Sequence, residues 1–250
     1  MVSLDMSFSQ MTGTLPLNLN SSFLLSINFN NSNFNKFPPS FAPIPSLQAL
    51  YLLNNGLSGT LPTEINTLTS LTLLELSINS LTGTIPILDA LSSLSYLNLY
   101  QNNFRGSVPQ FYQNLNTLTY LNLKEMHLSG TIPTTFGPFP LLQTLIISTN
   151  NLDGQIPDIF STFTSLTYLD ISDNNFNPPL PIIPNLITLD ISTNLLSGTI
   201  PPSLIYQTML LSLDLTNIQL TSIPNIIGQL SSLTSLFMTR NYITGTIPSF

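Results

Sequence analysis

One phrase of thirteen residues recurs along this chain about every 24 residues. Its consensus is L-x-L-x-x-N-x-L-[ST]-G-T-[IL]-P, and residues 74–86 match it at every defined position. Further clear copies occupy residues 50–62, 97–109, 121–133, 145–157, 169–181, 189–201 and 236–248, and weaker copies begin at Leu4, Leu25 and Leu213. A single unit of this length cannot bury an apolar face alone, so the eleven copies predict a solenoid of stacked coils.

The start of each phrase has the alternation of a short β-strand. In residues 94–100, Leu97 and Leu99 are predicted to point inward, whereas Tyr96, Asn98 and Tyr100 point outward. Successive copies should stack these strands into one parallel sheet with a spacing of about 4.8 Å. The arcs on the opposite side, such as residues 63–71, are too short for much α-helix, so we expect 3₁₀ turns and irregular chain there.

The asparagine that follows each strand is predicted to be structural. Its amide can both donate to and accept from backbone groups that the turn leaves without partners. The predicted buried ladder comprises Asn55, Asn79, Asn102, Asn150, Asn174, Asn194 and Asn241. Other copies carry Ser9, Ser32, Met126 and Ile218 at this position, and we expect weaker turns around Met126 and Ile218, whose side chains cannot replace the amide.

The L-S-G-x-I-P portion of the phrase closely resembles the plant-type leucine-rich repeat, and the resemblance extends over residues 4–248. This repeat is found in the ectodomains of receptor-like kinases and in polygalacturonase-inhibiting proteins. The resemblance implies an α/β-type solenoid that is mostly β, with a 3₁₀ and irregular convex side. It further implies a right-handed superhelix of about 11 repeats of about 24 residues, with the parallel sheet on its concave face. Such a fold implies a recognition surface without enzymatic activity.

Composition excludes several classes of partner. Charged residues make up 6 % of the chain, the net charge is −7, and Lys36, Arg105, Lys124 and Arg240 are its only Lys and Arg residues. Binding to nucleic acid or to an anionic membrane requires clusters of such residues, so neither is expected. No apolar run approaches the roughly 18 residues of a membrane-spanning segment. The absence of cysteine excludes disulfides and thiolate metal sites, and no cofactor is predicted.

The unbroken repeat predicts a single domain over residues 1–250. Neither end has the polar cap that a solenoid needs for solubility, so we expect a piece of a longer protein or a unit whose ends are covered by neighbours. Two glycosylation sequons begin at Asn20 and Asn30 and favour an extracellular or cell-surface location.

The outward strand positions define a candidate ligand-binding surface. Reading the middle outward position along the copies gives Asp5, Ser26, Tyr51, Glu75, Asn98, Asn122, Ile146, Asp170, Asp190, Asp214 and Phe237. Tyrosines on this surface offer a flat apolar face and a hydroxyl, which suit sugar rings or peptide backbone. The predicted binding residues are Tyr96, Asn98, Tyr100, Tyr120, Asn122, Lys124, Tyr168, Asp170 and Asp190. The alternative is that tyrosines simply suit strand surfaces.

Two other patterns have weaker functional interpretations. Asp170, Asp190 and Asp214 fall in one row, where carboxylates either share a cation or bond to nearby backbone, and no metal is assigned to them. The only histidine, His127, lies in the charged stretch of residues 124–127 and is interpreted as a surface substitution rather than a catalytic group.

The leading hypothesis is therefore an extracellular recognition module that binds a protein, peptide or glycan on its concave face. One alternative is a structural or adhesive fibre segment, because uncapped solenoid ends favour end-to-end self-association. A remote alternative is ice binding, suggested by a column of threonines interrupted by Ser107 and Gln155. That column comprises Thr14, Thr60, Thr84, Thr131, Thr199 and Thr246.

Overall fold

The computed structural model describes residues 2–17, 19, 21–39, 44–109, 114–196, 200, 202–223 and 225–246. Within these ranges the chain forms short β-strands and 3₁₀-helices, numbered below in chain order. Thr199 of the threonine column lies outside the described residues, as does Asn20 of the first sequon.

Eleven strands, one from each copy of the phrase, form a single parallel sheet, here called the long sheet. Its order follows the chain, and each strand pairs with the equivalent residues of the next coil, as Tyr96–Asn98 does with Tyr120–Asn122. The predicted parallel solenoid is thus confirmed. The strands are β1 (Ser3–Asp5), β3 (Ser26–Asn28), β5 (Ala49–Tyr51), β7 (Leu73–Glu75), β9 (Tyr96–Asn98), β11 (Tyr120–Asn122), β13 (Thr144–Ile146), β15 (Tyr168–Asp170), β17 (Thr188–Asp190), β18 (Ser212–Asp214) and β19 (Ser235–Phe237).

A second parallel sheet of six strands, here called the short sheet, follows the turn. The sequence did not predict it, because glycine in the phrase favours a turn. The alternation nevertheless persists, since Leu81 is buried between exposed Ser80 and Thr82. Its strands are β6 (Ser58–Thr60), β8 (Ser80–Gly83), β10 (Asn103–Gly106), β12 (His127–Thr131), β14 (Asn151–Gln155) and β16 (Asn175–Asn177), and a separate pair is formed by β2 (Thr12–Thr14) and β4 (Asn33–Lys36).

The arcs that return the chain to the long sheet contain 3₁₀-helices, as predicted. Each has five residues. The first follows Pro62, whose φ of −71° and ψ of 142° give the extended backbone that precedes the turn. The helices are η1 (Thr63–Thr67), η2 (Asp158–Thr162), η3 (Pro202–Tyr206) and η4 (Asn225–Gln229).

The core is one continuous column of inward side chains between the two sheets and the arcs. Within the repeats, Leu74, Leu76 and Leu81 are each 0 % exposed. Two neighbouring arcs contribute four buried phenylalanines to the column, Phe136, Phe139, Phe160 and Phe163, and the ring centroids of the last two are 5.0 Å apart. Burial of this apolar surface is the main force that stacks the coils.

Each ladder asparagine joins its own coil to the preceding one. The Asn102 amide donates to the carbonyls of Leu99 and Leu76 at 2.9 and 3.0 Å, and its oxygen accepts from the Leu81 N–H at 3.0 Å. The same pattern of two carbonyl acceptors and a backbone donor recurs at Asn55, Asn79, Asn150, Asn174, Asn194 and Asn241.

The residue before the ladder position has a left-handed backbone, a feature the sequence did not predict. Gln101, Glu125 and Thr149 have φ values of 54°, 56° and 54°. The N–H of Gln101 donates to the Lys124 carbonyl at 3.1 Å, which ties the turn to the next coil. Non-glycine residues rarely adopt this conformation, so the hydrogen bonds around the turn must hold it.

The ladder positions without asparagine are filled in two ways. Met126 and Ile218 are buried, at 4 % and 0 % exposure, so apolar packing replaces the amide there. Ser32 donates to the Met6 carbonyl at 3.3 Å and contacts the Ser9 hydroxyl at 3.0 Å. The expectation of weaker turns around Met126 and Ile218 stays a prediction.

The assignment of Ser26 to the middle outward position was wrong. The sheet pairs Asn28, not Ser26, with both Asp5 and Tyr51. The inward residues of this coil are Ile27 and Phe29, which replace the two leucines of the phrase and shift its start by two residues from Leu25.

Threonine methyls occupy the space beside the glycines of the short sheet. A Cβ added to Gly154 would lie 2.8 Å from the Thr131 Cγ2, and one added to Gly83 would lie 2.9 Å from the Thr60 Cγ2. The coil before Gly130 carries Ser107, which has no methyl, and a Cβ there would have no neighbour within 4 Å. The threonine column therefore has a packing role.

Loss of one ladder amide should destabilise the fold. We expect Asn102→Ala to lower the free energy of unfolding by about 1–3 kcal/mol, because backbone groups in a buried turn lose their partner. The neighbouring Asn103 is exposed, so Asn103→Ala serves as the control and should change stability little. Urea denaturation of both variants measures the difference. Equal effects from the two substitutions would contradict the structural role of the amide.

The threonine–glycine contact is tested by comparing two alanine variants. Gly154 and Gly130 have similar φ values of 74° and 76°, so the backbone strain of an alanine, about 1–2 kcal/mol, should be common to both. Gly154→Ala should cost more than Gly130→Ala because of the Thr131 methyl. Adding Thr131→Ser should remove that excess in a thermal or urea unfolding experiment. An excess that survives Thr131→Ser would disprove the contact.

Candidate ligand-binding surface

The candidate surface is the side of the long sheet that faces away from the core, here called the outer face. It consists of the first and third residues of each strand and of the second residue after it, as in Tyr96, Asn98 and Tyr100. All the predicted binding residues from Tyr96 to Asp190 lie at these positions, on β9 to β17 or directly after them.

The third strand residue closes the turn that ends the strand. The Asp170 carboxylate accepts from the Ser172 N–H at 3.0 Å, and the Asn98 and Asn122 oxygens accept from the Tyr100 and Lys124 N–H at 3.1 and 3.0 Å. Side chains of this type commonly bond the backbone two residues on. These residues therefore have a structural role in addition to any contact with a ligand.

Two of the three tyrosines form a stacked pair. The rings of Tyr96 and Tyr120 have centroids 4.5 Å apart and planes within 7° of parallel. Tyr168 lies two strands beyond Tyr120, since Thr144 of β13 pairs with both residues. The structure thus joins Tyr96 and Tyr120 into one platform and places Tyr168 apart, with 37 % of its surface exposed.

Glu75 supports the platform from the adjacent strand. Its buried carboxylate accepts from the Asn98 amide at 2.9 Å and from the Tyr96 hydroxyl at 3.3 Å. Burial, followed by the charge of Glu75, raises the pKa of Tyr96 well above its usual range, so its hydroxyl stays protonated. Glu75 was in the predicted outward column but was not among the predicted binding residues. The sequence signal for its role was an acidic residue in the outward column one strand before a tyrosine.

Tyr100 and Lys124 continue the surface beyond the strand ends. A hydrogen bond to the Glu125 carboxylate is the main reason that the pKa of Tyr100 is raised. Lys124 is half-buried and lies in the equivalent position on the next coil. It adds a positively charged side chain to the turn side of the outer face.

The three aspartates form the predicted row. Asp170 pairs with Asp190, and Asp190 pairs with Asp214, on neighbouring strands. Asp170 is 7 % exposed, and its Oδ2 accepts from the Ser148 hydroxyl at 2.7 Å. Burial, opposed by its bonds to Ser192 and reinforced by the charges of Asp170 and Asp214, raises the pKa of Asp190. In the described part of the chain, no three His, Cys, Asp or Glu side chains are grouped to hold a metal ion.

The remaining candidate residues lie elsewhere. Asn30 is half-buried, and its side-chain oxygen accepts from the Leu53 N–H at 2.7 Å. His127 begins β12 of the short sheet, so it is not on the outer face with the aspartates.

Because the pKa of Asp190 is raised, replacing its carboxylate with a neutral amide is expected to increase the stability of the fold by an amount that depends on pH. The folded chain holds this proton more tightly than the unfolded chain, so stability falls as pH rises from the ordinary value of 3.8 through the raised value. Asp190→Asn should therefore be more stable than the parent at neutral pH. Its oxygen can still accept from the Ser192 N–H, as Asn98 does from Tyr100.

Urea denaturation midpoints across a pH series measure this effect. The advantage of Asp190→Asn should shrink as pH falls and should vanish below the ordinary carboxyl pKa of 3.8. No advantage at neutral pH, or one that persists unchanged in acid, would contradict the assignment.

No helix among the described residues has the length and apolarity of a membrane-spanning segment.

Comparison with known protein families identifies the repeats. The profile described as leucine rich repeat matches residues 116–176, and a second profile of the same description matches residues 46–68, 93–115 and 185–206. No curated protein matches the chain.

Solved plant receptor structures are similar along the whole solenoid. PEPR1 in its complex with AtPEP1 is 30 % identical with a TM-score of 0.91, and the match covers 99 % of this chain and 36 % of that one. The plant peptide hormone receptor RGFR1, solved with RGF2, is 32 % identical with a TM-score of 0.88, covering 96 % of this chain and 39 % of that one. The chain thus spans less than half the length of these receptor chains.

A plant ice-binding protein is also similar, at 26 % identity and a TM-score of 0.67, over 95 % of this chain and 81 % of that one.

The repeat profiles, the stacked parallel strands and the similarity to PEPR1 and RGFR1 agree with one another. The chain belongs to the leucine-rich-repeat family.

Proposed function

We propose that this chain is an extracellular recognition module that binds a peptide or an extended protein segment on the concave outer face of the long sheet. The observation that carries the proposal is the stacked pair of Tyr96 and Tyr120, held in place by buried Glu75. Rigid aromatic side chains lose little entropy on binding and are favoured as anchors in interfaces.

The surface offers different chemistry at its two ends. The Tyr96–Tyr120 platform presents ring edges and hydroxyls, with the Asn98 and Asn122 amides beside it. Ile146 then separates this aromatic and amide part from the Asp170–Asp190 part. A ligand that lies along the sheet, crossing the strands, would contact both parts. Tyr100 and Lys124 would border it on the turn side, and Tyr168 would contact it between the two parts.

The similar receptors support a peptide as the ligand. PEPR1 was solved with AtPEP1, and RGFR1 is described as a peptide hormone receptor in complex with RGF2. The extracellular location of this chain is part of the same proposal. A single repeat domain over residues 1–250, glycosylation at Asn20 and Asn30, and a glycan as an alternative ligand remain predictions.

The other functions gain less support. The similarity to an ice-binding protein concerns the whole fold, whereas the threonine methyls of Thr60 and Thr131 pack beside glycines of the next coil. Arg105, an exposed charge on the same sheet, further interrupts a flat threonine surface. End-to-end assembly into a fibre stays a prediction.

Substitution of the platform should weaken the binding of peptides that were selected on the folded chain. Peptides from a random display library that bind the parent should lose at least about tenfold in affinity for Tyr96→Ala/Tyr120→Ala, because the anchor is removed. Tyr206→Ala is the matched control, since Tyr206 is 61 % exposed on η3, away from the outer face. Isothermal titration calorimetry measures all three proteins.

Unchanged affinity in the platform variant, or an equal loss in Tyr206→Ala, would contradict the proposed site. Glu75→Gln provides a graded version of the same test. It keeps the side-chain volume but weakens the charge-assisted bonds to Tyr96 and Asn98, so a smaller loss of affinity is expected.

A further inference from the structure

A groove of about 850 Å³ runs along the flank of the solenoid, between the long sheet and the short sheet. One rim is formed by the left-handed turn residues, which include Gln101, Glu125 and Asp173. The opposite rim is formed by outward residues of the short sheet, which include Arg105 and His127. The ladder residues between the rims form the floor. This groove does not belong to the outer face.

The groove is centred on the coil in which the asparagine ladder is interrupted. Met126 takes the ladder position and is buried at 4 % exposure, whereas Asn102 of the preceding coil is buried with its amide fully used. From the coil of Asn79 to the coil of Asp173 there are four steps of about 4.8 Å, so the groove extends over about 19 Å.

Charged residues are scarce in this chain, but several of them line the groove. Arg105 and His127 lie on paired strands, and Glu125 and Asp173 lie on the other rim. In the described part of the chain, the Arg105 side chain forms no ion pair or hydrogen bond although two carboxylates line the same groove. A charged group left unpaired on a chain with 6 % charged residues is available to a ligand.

The remaining lining is made of amides and hydroxyls. The side chains of Asn103 and Asn151 are exposed on the short-sheet rim, where Ser129 also lies, and Thr149 belongs to the turn rim. Amides and hydroxyls act both as donors and as acceptors. Among the described lining residues, buried Met126 is the only large apolar side chain, so they form no pocket for an apolar anchor of a peptide.

This chemistry selects among ligand classes. A polyanion would meet the carboxylates of Glu125 and Asp173, and a polycation would meet Arg105. A neutral oligosaccharide carries hydroxyl and ether oxygens, which match a lining of mixed donors and acceptors, and it brings no charge into contact with the carboxylates or with Arg105. We infer that the flank groove between the two sheets binds a short neutral oligosaccharide, independently of the peptide surface.

Calorimetric titration with neutral oligosaccharides tests the inference. The probes are cellohexaose, maltohexaose and mannohexaose, with hexagalacturonate as the anionic counterpart. We expect at least one neutral hexaose to bind, and Arg105→Ala/Asn151→Ala to weaken that binding by about tenfold or more, because hydrogen bonds to a charged and a neutral partner are both lost. Tyr96→Ala/Tyr120→Ala, which changes only the outer face, should leave it unchanged.

Three outcomes would overturn the inference. The first is no binding of any neutral hexaose at millimolar concentration. The second is neutral binding that survives the groove variant, or that is lost in the tyrosine variant, which would place the sugar on the outer face. The third is binding of hexagalacturonate alone. Unfolding midpoints of both variants verify that the fold is intact, and the two side chains removed from the groove, Arg105 and Asn151, are exposed. Because peptide binding is measured separately, failure here leaves the proposed function untouched.

Discussion

The buried asparagine amide is the interaction on which this structure depends. A solenoid coil must reverse direction after each strand, and the reversal leaves backbone groups that neither sheet can satisfy. Asn102 bonds carbonyls of its own and the preceding coil, together with the Leu81 N–H. One side chain therefore closes the turn and fixes the register between neighbours. Leucine burial supplies most of the driving force, but apolar contacts alone do not specify this register.

The proposed binding surface depends on that register, because the register aligns the outward residues into columns. Tyr96 can stack on Tyr120, and Glu75 can reach Tyr96, only because equivalent residues of successive coils pair directly. The polar third residue of each strand serves the fold first, since residues such as Asn122 cap the strand end. The proposed binding surface therefore rests on its tyrosines rather than on these third-position residues.

Much of the fold could be predicted from the sequence because the same residue types recur at equivalent positions of successive coils. The long sheet, the 3₁₀ arcs and the solenoid class follow from the phrase alone. The short sheet was missed because Gly83 suggested a turn, whereas its lack of a side chain leaves room for the Thr60 methyl within a strand. Ser26 was misplaced because Ile27 and Phe29 replace the leucines that mark the start of a copy.

The candidate site was harder to predict, because contacts between coils involve residues about 24 positions apart. The columns were visible in the sequence, but the stacking of Tyr96 on Tyr120 and the support from Glu75 depend on side-chain geometry. The flank groove has no sequence motif of its own. It arises where Met126 interrupts the ladder between rims formed by turns and strands that the sequence did not specify.

Hydrogen exchange of the asparagine side-chain amides, followed by NMR, tests the central claim most directly. The amides of Asn79, Asn102 and Asn174 should exchange far more slowly than those of Asn103 and Asn151, which are exposed on the short sheet. Protection of the ladder amides would show that they remain bonded between coils in solution. Exchange at the rate of the exposed amides would contradict the role assigned to them here.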